Sequence, residues 1–422
     1  MNSYDSYQNV NSYWYNEVPD HWKKTKNKYV FHQDKKVVGS SWEDYVLLTM
    51  GKSGVKPRDM EGGGKFPASF ENYQVVTPNQ IIFCLFDLDE TPRTVGKSSD
   101  HGMITSAYDV FSTTSENDPQ FWTYFYQMID DHKGLRPYYT GLRKVVRSET
   151  FMGIEVFSPP IEEQKLISRY LDKKTSQVDS LVEKIQNKIE LLKEQRTSLI
   201  NHYVTKGLDP NVEMKDSGIE WIGEIPKDWD VQRISTLYSQ TSIRGFSEEQ
   251  NLSVFRDHGV VRRDDYENKN VLSDDLSNYK LVNKGDLVLN KMKTWMGSLG
   301  VSEYRGIVSP AYYVLRPNFE FFSGYLHHLL RSKIYIDQYG SVSKGVRPGQ
   351  WDLSYDEFKS LKVILPPVDE QKEIYNRLTK ELEFNSQLSN LESKKVEFLE
   401  EYRQSLISSI VTGKIRVTED MI

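Results

Sequence analysis

Two stretches carry residue types that bind phosphate in other contexts. Gly96-Lys97-Ser98 and Gly51-Lys52-Ser53 have the ending of a phosphate-cradling loop. That loop also needs a glycine five residues before its last one, where this chain has Thr91 and Val46. Asp337 with Glu357-Phe358-Lys359 resembles an acid–acid–lysine nuclease set, but the pattern is short and nonspecific. His327-His328 has no neighbouring cysteine or acid to complete a metal site, so helix packing is the expected role. The single cysteine, Cys84, lies in an apolar run and reads as core. Gly62-Gly63-Gly64 lacks a strand–helix context and reads as a turn. No glycine-rich loop for S-adenosylmethionine and no Asp/Asn-Pro-Pro-aromatic element is present. Recognition is favoured over catalysis.

Basic residues gather at matching stations in the two halves. The first half has Lys52, Lys56 and Arg58, then Arg93 and Lys97, then Arg143, Lys144 and Arg147. The second has Arg262 and Arg263, then Lys291, Lys293 and Trp295, then Lys344 and Arg347. Most stand in expected loops or strand ends, with glycines close by. Lysine and arginine neutralise phosphates, and arginine also pairs bidentately with guanine. These residues are the candidate DNA contacts. The chain as a whole carries a net charge of −6, and none of its segments is net basic. Any DNA contact must therefore come from local clusters or from surfaces shared with partners.

The stations belong to an internal repeat. PPIEEQK begins at Pro159 and PPVDEQK at Pro366, an offset of 366 − 159 = 207. At the same offset Trp14, Glu17, Pro19 and Trp22 match Trp221, Glu224, Pro226 and Trp229. LLTMGKSGV matches LSVFRDHGV, and MITSAYDV matches IVSPAYYV, at slightly smaller offsets. With Gly141-Leu142-Arg143 matching Gly345-Val346-Arg347, five stations in one order imply a duplication.

After each double proline the pattern turns helical. Residues 161–204 contain no glycine or proline. Val178, Val182, Ile185, Ile189, Leu192, Arg196, Leu199 and Tyr203 alternate spacings of four and three, a coiled-coil seam. Pro160 suits the first turn, Glu162 and Glu163 favour the positive end of the helix dipole, and Gly207 with Pro210 ends it. Such a helix reaches roughly 60 Å at ~1.5 Å per residue. The second helix shows Phe384, Leu388 and Leu391 as one stripe, then Val396, Leu399, Leu406 and Ile410 as another. A register slip near Glu392–Lys395 is expected between them. Arg196 and Arg403 occupy matching seam positions, each solvated or paired with a carboxylate across the coil.

Four segments follow. Residues 1–158 are a first globule with a polar leader at 1–13, and 159–213 are a long helix and linker. Residues 214–365 are a second globule, and 366–422 a second long helix. Both globules read as mixed α/β (α+β). Strands are expected at 80–86 and 286–292, and helices at 121–129 and 322–332. An antiparallel pair of long helices with pseudo-twofold symmetry buries both stripes. The chain has 38% hydrophobic and 27% charged residues, no apolar run long enough to span a membrane, and no apolar signal core at its start. With one cysteine it forms no internal disulfide, and a cytoplasmic location is expected.

WYNEVPDHW and DSGIEWIGEIPKDW, the two PP phrases, and the tails RTSLINHYVTKG and RQSLISSIVTGK together resemble the specificity (S) subunit of type I restriction–modification systems. The resemblance covers the chain beyond its leader. It implies two target-recognition domains, each reading half of a bipartite DNA site, and a coiled coil that fixes the spacing. It implies two modification subunits that carry S-adenosylmethionine and methylate adenine. It also implies restriction subunits that use ATP and Mg, and no catalysis or cofactor in this chain. A bacterial or archaeal, DNA-associated protein follows from it. The alternative is a non-catalytic coiled-coil scaffold that binds proteins only. The first globule departs from the pattern: its Gly141-Leu142-Arg143 station lacks the longer SKGVRPGQWDLS of residues 343–354.

Overall fold

The computed structural model describes residues 3–51, 54–59, 67, 69–266, 275–319, 322–345 and 351–422. The chain divides into two compact units. One comprises Met1–Ile185 with Lys394–Ile422, the other Gln186–Ser393. Both long helices, Ile161–Lys206 and Val368–Val411, therefore contribute residues to both units.

Each unit holds a four-stranded antiparallel sheet of the same topology. In the first, the order is Phe31–Gln33, Asp109–Thr113, Ile81–Phe83, Val95–Lys97. In the second it is Tyr238–Thr241, Tyr312–Pro317, Leu287–Asn290, Leu299–Val301. The expected strands and helices fall here, the helices as Pro119–Asp131 and Ser323–Leu330. Asp118 caps the first of these, accepting from the Phe121 amide at 2.8 Å. The strand before each double proline pairs with one near the start of its globule. Glu155–Ser158 lies on Lys23–Lys26, and Lys362–Leu365 on Asp230–Arg233. Each globule is thus closed by its own ends.

The first unit's core joins Ile167 and Leu171, early in the first long helix, to Leu406, Ile407, Ile410 and Val411, late in the second. The second unit's core joins Val204 to Ile374, Leu378 and Leu382. The helices run antiparallel in both. Cross-helix contacts pair Asp179 with Arg403 at 3.0 Å in the first unit. In the second, Lys188 meets Glu392 at 2.8 Å, and the Tyr203 hydroxyl donates to Glu381 at 3.0 Å.

The seam residues of the first helix differ in burial, and Arg196 is exposed. Val178 and Leu192 are buried, while Val182, Ile185, Ile189 and Leu199 are half-buried. On the second helix Leu406 is buried, and Val396 and Leu399 are half-buried. The expected register slip is absent. Leu378, Leu382, Asn385, Ser389, Glu392, Val396, Leu399, Arg403, Leu406 and Ile410 form one seam of buried or half-buried residues with unbroken heptad spacing. Phe384 and Leu391 point outward instead, at 67% and 57% exposure. The slip was an illusion of composition: four seam positions, Asn385, Ser389, Glu392 and Arg403, are polar, and apolar neighbours stand outside. Three of them have partners on the facing helix, Arg403 with Asp179 among them. Asn385 Nδ2 donates to the Leu192 carbonyl at 3.1 Å, and Glu392 takes Lys188.

Polar seam residues fix register at a cost in stability. Asn385→Leu should therefore raise the thermal midpoint of the chain by a few degrees, a gain of about 1 kcal/mol. A lowered midpoint would show that the Leu192 bond outweighs its desolvation.

The leader also differs from expectation. Tyr7–Asn9 is a strand paired with Glu17–Pro19. Met214–Asp216 pairs with Glu224–Pro226 in the same way, 214 − 7 = 207 residues later. So residues 7–9 are part of the repeat, disguised by unlike side chains.

Candidate nucleic-acid interface

Three repeated motifs meet at one node in each unit. The Trp22 indole donates to Glu163 Oε1 at 3.1 Å, and the Trp229 indole to Glu370 Oε2 at 3.0 Å. Each pair is separated by 141 residues. The helix tails close over these rings. Gly413, at φ +75°, would put a Cβ 2.4 Å from Pro19 Cδ. Gly207, at φ +76°, would put one 2.9 Å from Glu370 Oε1 and 3.3 Å from the Trp229 ring. Only glycine meets both demands of backbone and space. The glutamine after each glutamate ties the helix start to the double proline, its Nε2 donating to the Pro159 carbonyl at 2.9 Å and the Pro366 carbonyl at 2.8 Å. The PP phrases are thus architectural. In the first unit the node is extended, since the Tyr4 hydroxyl donates to Glu163 at 2.5 Å and His21 lies 2.7 Å from it.

The candidate cations fare differently in the two units. Lys52 and Arg347 lie outside the described residues, as do Val346 and Gly62-Gly63-Gly64. In the first unit, Arg93 is held by Asp130 at 3.2 Å and Asp131 at 2.8 Å, with 17% of its side chain exposed. Arg143 pairs with Asp87 at 2.5 Å and covers the Phe86 ring. Lys144 pairs with Asp89 at 2.9 Å. The bond from Arg143 holds the Asp87 carboxyl below its ordinary range, and that from Lys144 does the same for Asp89. These cations are engaged by carboxylates of their own globule, Arg93 largely buried and Arg143 and Lys144 at the surface. Lys56 is exposed on the strand Gly54–Pro57, while Arg58 and Lys97 are half-buried.

In the second unit the candidates converge. Lys291 meets Asp352 at 3.2 Å, and the Leu353 amide donates to the Lys291 carbonyl at 3.1 Å. Lys344 exchanges backbone hydrogen bonds with Asp352 and reaches Glu357 at 3.4 Å, its side chain still 84% exposed. Trp295 packs on Trp351 with ring centroids 4.7 Å apart. Exposed Lys293 precedes the short helical turn Thr294–Met296. The two basic stations therefore form one edge. Arg262, exposed, lies over the Tyr304 ring, and Arg263 is half-buried beside it. The nuclease-like set dissolves: Asp337 pairs with Lys333, Glu357 with Lys344, and Lys359 with Asp356.

Sequence reasoning missed what lies behind that edge. A groove of about 640 Å³ runs from Trp295 and Trp351 to the first long helix at Arg196. Arg256, His258 and Lys333 also line it. Arg331 forms part of its wall, donating to the carbonyls of Leu299 and Arg256, each at 2.9 Å. Burial, then Arg331, holds both histidines of the 327–328 pair below their ordinary range, to about 3 for His327 and about 4 for His328. No single motif announced this groove, because its residues come from five separate stretches.

Fold and site together define a class: a duplicated pair of α/β globules on two shared antiparallel helices, with a cationic, aromatic edge in the second unit. The specificity subunits of type I restriction enzymes are the proteins this chain is similar to. It is 26% identical over 268 residues to the putative type I restriction enzyme MjaX specificity subunit of Methanocaldococcus jannaschii, covering 61% of this chain and 59% of that protein. With the MjaVIII specificity subunit of the same organism it shares 27% over 291 residues, 64% of each chain. With the EcoKI specificity subunit of Escherichia coli it shares 24% over 221 residues, 46% of this chain and 44% of that one. The matches span less than two thirds of these relatives' length. No family model matches the chain. Its fold is that of a chain in a solved type I R-M system, with a TM-score of 0.62 at 13% identity, covering 94% of this chain and 99% of that one. It also matches the HsdS subunit of Thermoanaerobacter tengcongensis, with a TM-score of 0.50 at 13% identity, covering 94% and 98%.

Proposed function

We propose that this chain is the DNA-specificity subunit of a type I restriction–modification complex. Each globule reads one half of a bipartite site in double-stranded DNA. The paired helices set the interval between the halves and dock two modification subunits. The observation that carries this reading is the duplication itself, two like globules joined through seam positions that repeat 207 residues apart (385 − 178 = 207). A single-site reader needs one head. Two heads on a shared stiff element suit a split site of fixed gap. The modification subunits would bring S-adenosylmethionine and the adenine chemistry. Restriction subunits would bring ATP and Mg. Of its own helices, none described here is long and apolar enough to cross a membrane.

The test is a map of methylated adenine in host DNA with and without this chain, alongside co-purification of the modification subunits. A bipartite motif that vanishes with the chain is expected. A motif that persists in its absence would sink the reading, and partners without DNA selectivity would point to a protein-only scaffold.

The helices yield a sharper prediction. One heptad inserted in each helix at matching seam positions adds about 10 Å of rise. That should lengthen the tolerated gap by about three base pairs at roughly 3.4 Å each. A gap unchanged in the methylation map would mean that the helices do not set it.

A further inference from the structure

We propose that the groove beside Arg196 is a phosphate-backbone site, so that the first long helix itself grips DNA; this rests on the DNA-reading function above. The duplication provides an internal comparison. Arg403 and Arg196 hold matching seam positions, 403 − 196 = 207. Arg403 is neutralised by Asp179 across the coil at 3.0 Å. The residue matching Asp179 is Ser386, 386 − 179 = 207, so Arg196 lacks that carboxylate. Arg196 is exposed, and no carboxylate stands within ion-pair distance of it among the described residues. Instead it faces other cations. Its charge bears on His328 and Arg331, and in both it disfavours the protonated form. Exposed Arg256 lies in the same groove without a partnering carboxylate among the described residues. Two unneutralised guanidiniums beside a fixed third one make a site that an anion stabilises.

The neighbours favour a nucleic-acid phosphate over a protein carboxylate. The groove's outer wall is Trp295 against Trp351, and those residues belong to the same edge as Lys291, Lys293 and Lys344. Two carboxylates line the groove against four cations: Asp337 is held by Lys333 and Asp257 lies near Arg331, so a strand contacted at that edge continues into a groove of net positive charge. Guanidiniums read a phosphate bidentately and without base preference, so the site positions DNA and does not choose its sequence.

The experiment uses the full chain and a mixed-sequence DNA duplex, with binding followed by fluorescence anisotropy across a salt series. Arg196→Ala and Arg256→Ala should each weaken binding alike for all sequences and lower the log–log salt slope by about one. A fourfold rise in salt should then cost each variant about fourfold less affinity than it costs the unaltered chain. Arg196→Lys should retain most of the slope. Arg403→Ala, which breaks a bridge to Asp179, should leave the slope unchanged. Slopes equal to that of the unaltered chain in both alanine variants would overturn the groove proposal while leaving the function standing. Absence of sequence-selective DNA binding by the chain assembled with its modification subunits would overturn the function itself. Loss of poly-glutamate binding in Arg196→Ala, with DNA binding intact, would assign the groove to an acidic protein segment and refute a phosphate site.

Discussion

Trp229→Ala should destabilise the second unit by about 3–5 kcal/mol, the usual cost of emptying a large buried aromatic site. The ring is fully buried and packs edge-to-face on Tyr325 with centroids 6.2 Å apart. Its indole holds Glu370, and Gly207 approaches it from the end of the other helix. Entry strand, helix start and helix tail all depend on it. Trp229→Phe separates packing from polarity. It keeps most of the apolar surface but leaves Glu370 without its donor. Burial already holds that carboxyl above its ordinary range, against the lowering by the indole. About 1–3 kcal/mol should be lost through the orphaned group. Urea denaturation followed by far-ultraviolet circular dichroism reads both. A loss below about 1 kcal/mol for the alanine variant would mean the node bears little of the fold, since such a change is within ordinary surface variation. Trp22→Ala tests the first unit, where Glu163 has Tyr4 and His21 besides the indole.

Acid should weaken the second unit more than the first. His327 and His328 are held neutral in the fold, with pKa values of about 3 and about 4. Burial is the main cause in both. Arg331 is next in both, followed by His328 for His327 and by Arg196 for His328. Asp257 lies near Arg331, and the Tyr375 ring packs at a tilt against His328 with centroids 5.7 Å apart. In the unfolded chain both histidines titrate near 6.5. The unfolded state therefore binds more protons between about pH 6.5 and 4. Their contribution is fully present above 6.5 and is lost progressively as pH falls through that window. At ~1.4 kcal/mol per pKa unit, the pair should cost a few kcal/mol by pH 4.5. The first unit has Thr123 and Tyr124 at the matching positions, 204 residues earlier, and carries no such penalty. Comparing urea midpoints at pH 7 and 4.5 for the unaltered chain and for His327→Gln/His328→Gln isolates the effect from the titrating carboxylates. Equal losses in both proteins would refute it.

The same pair shows what a sequence conveys. Its helical setting was legible, and so was its unsuitability for a metal, because ligands at fixed spacing are a local pattern. Its protonation was not, since Arg196 and Arg331 stand 132 and 3 residues from His328 (328 − 196 = 132; 331 − 328 = 3). The basic stations are similar. Their residue types were visible, but Arg93 and Lys293 look alike in a sequence. Only folding sets one against Asp130 and Asp131 and leaves the other exposed.

By itself the sequence determined the duplication, the order globule–helix–globule–helix, the ends of the helices and the seam of the first one. These rest on short-range periodicity and on repetition, which survive without knowledge of neighbours. Tertiary structure alone decided three things. It joined Trp, Glu and Gly motifs of each repeat into one node, by hydrogen bonding across 141 residues. It kept the second helix in unbroken register with Asn385 and Glu392 inside the seam, because the facing helix supplies the Leu192 carbonyl and Lys188. And it left Arg196 without the carboxylate that neutralises Arg403. Charge compensation and buried polarity depend on distance in space, and the chain's own order does not contain that distance.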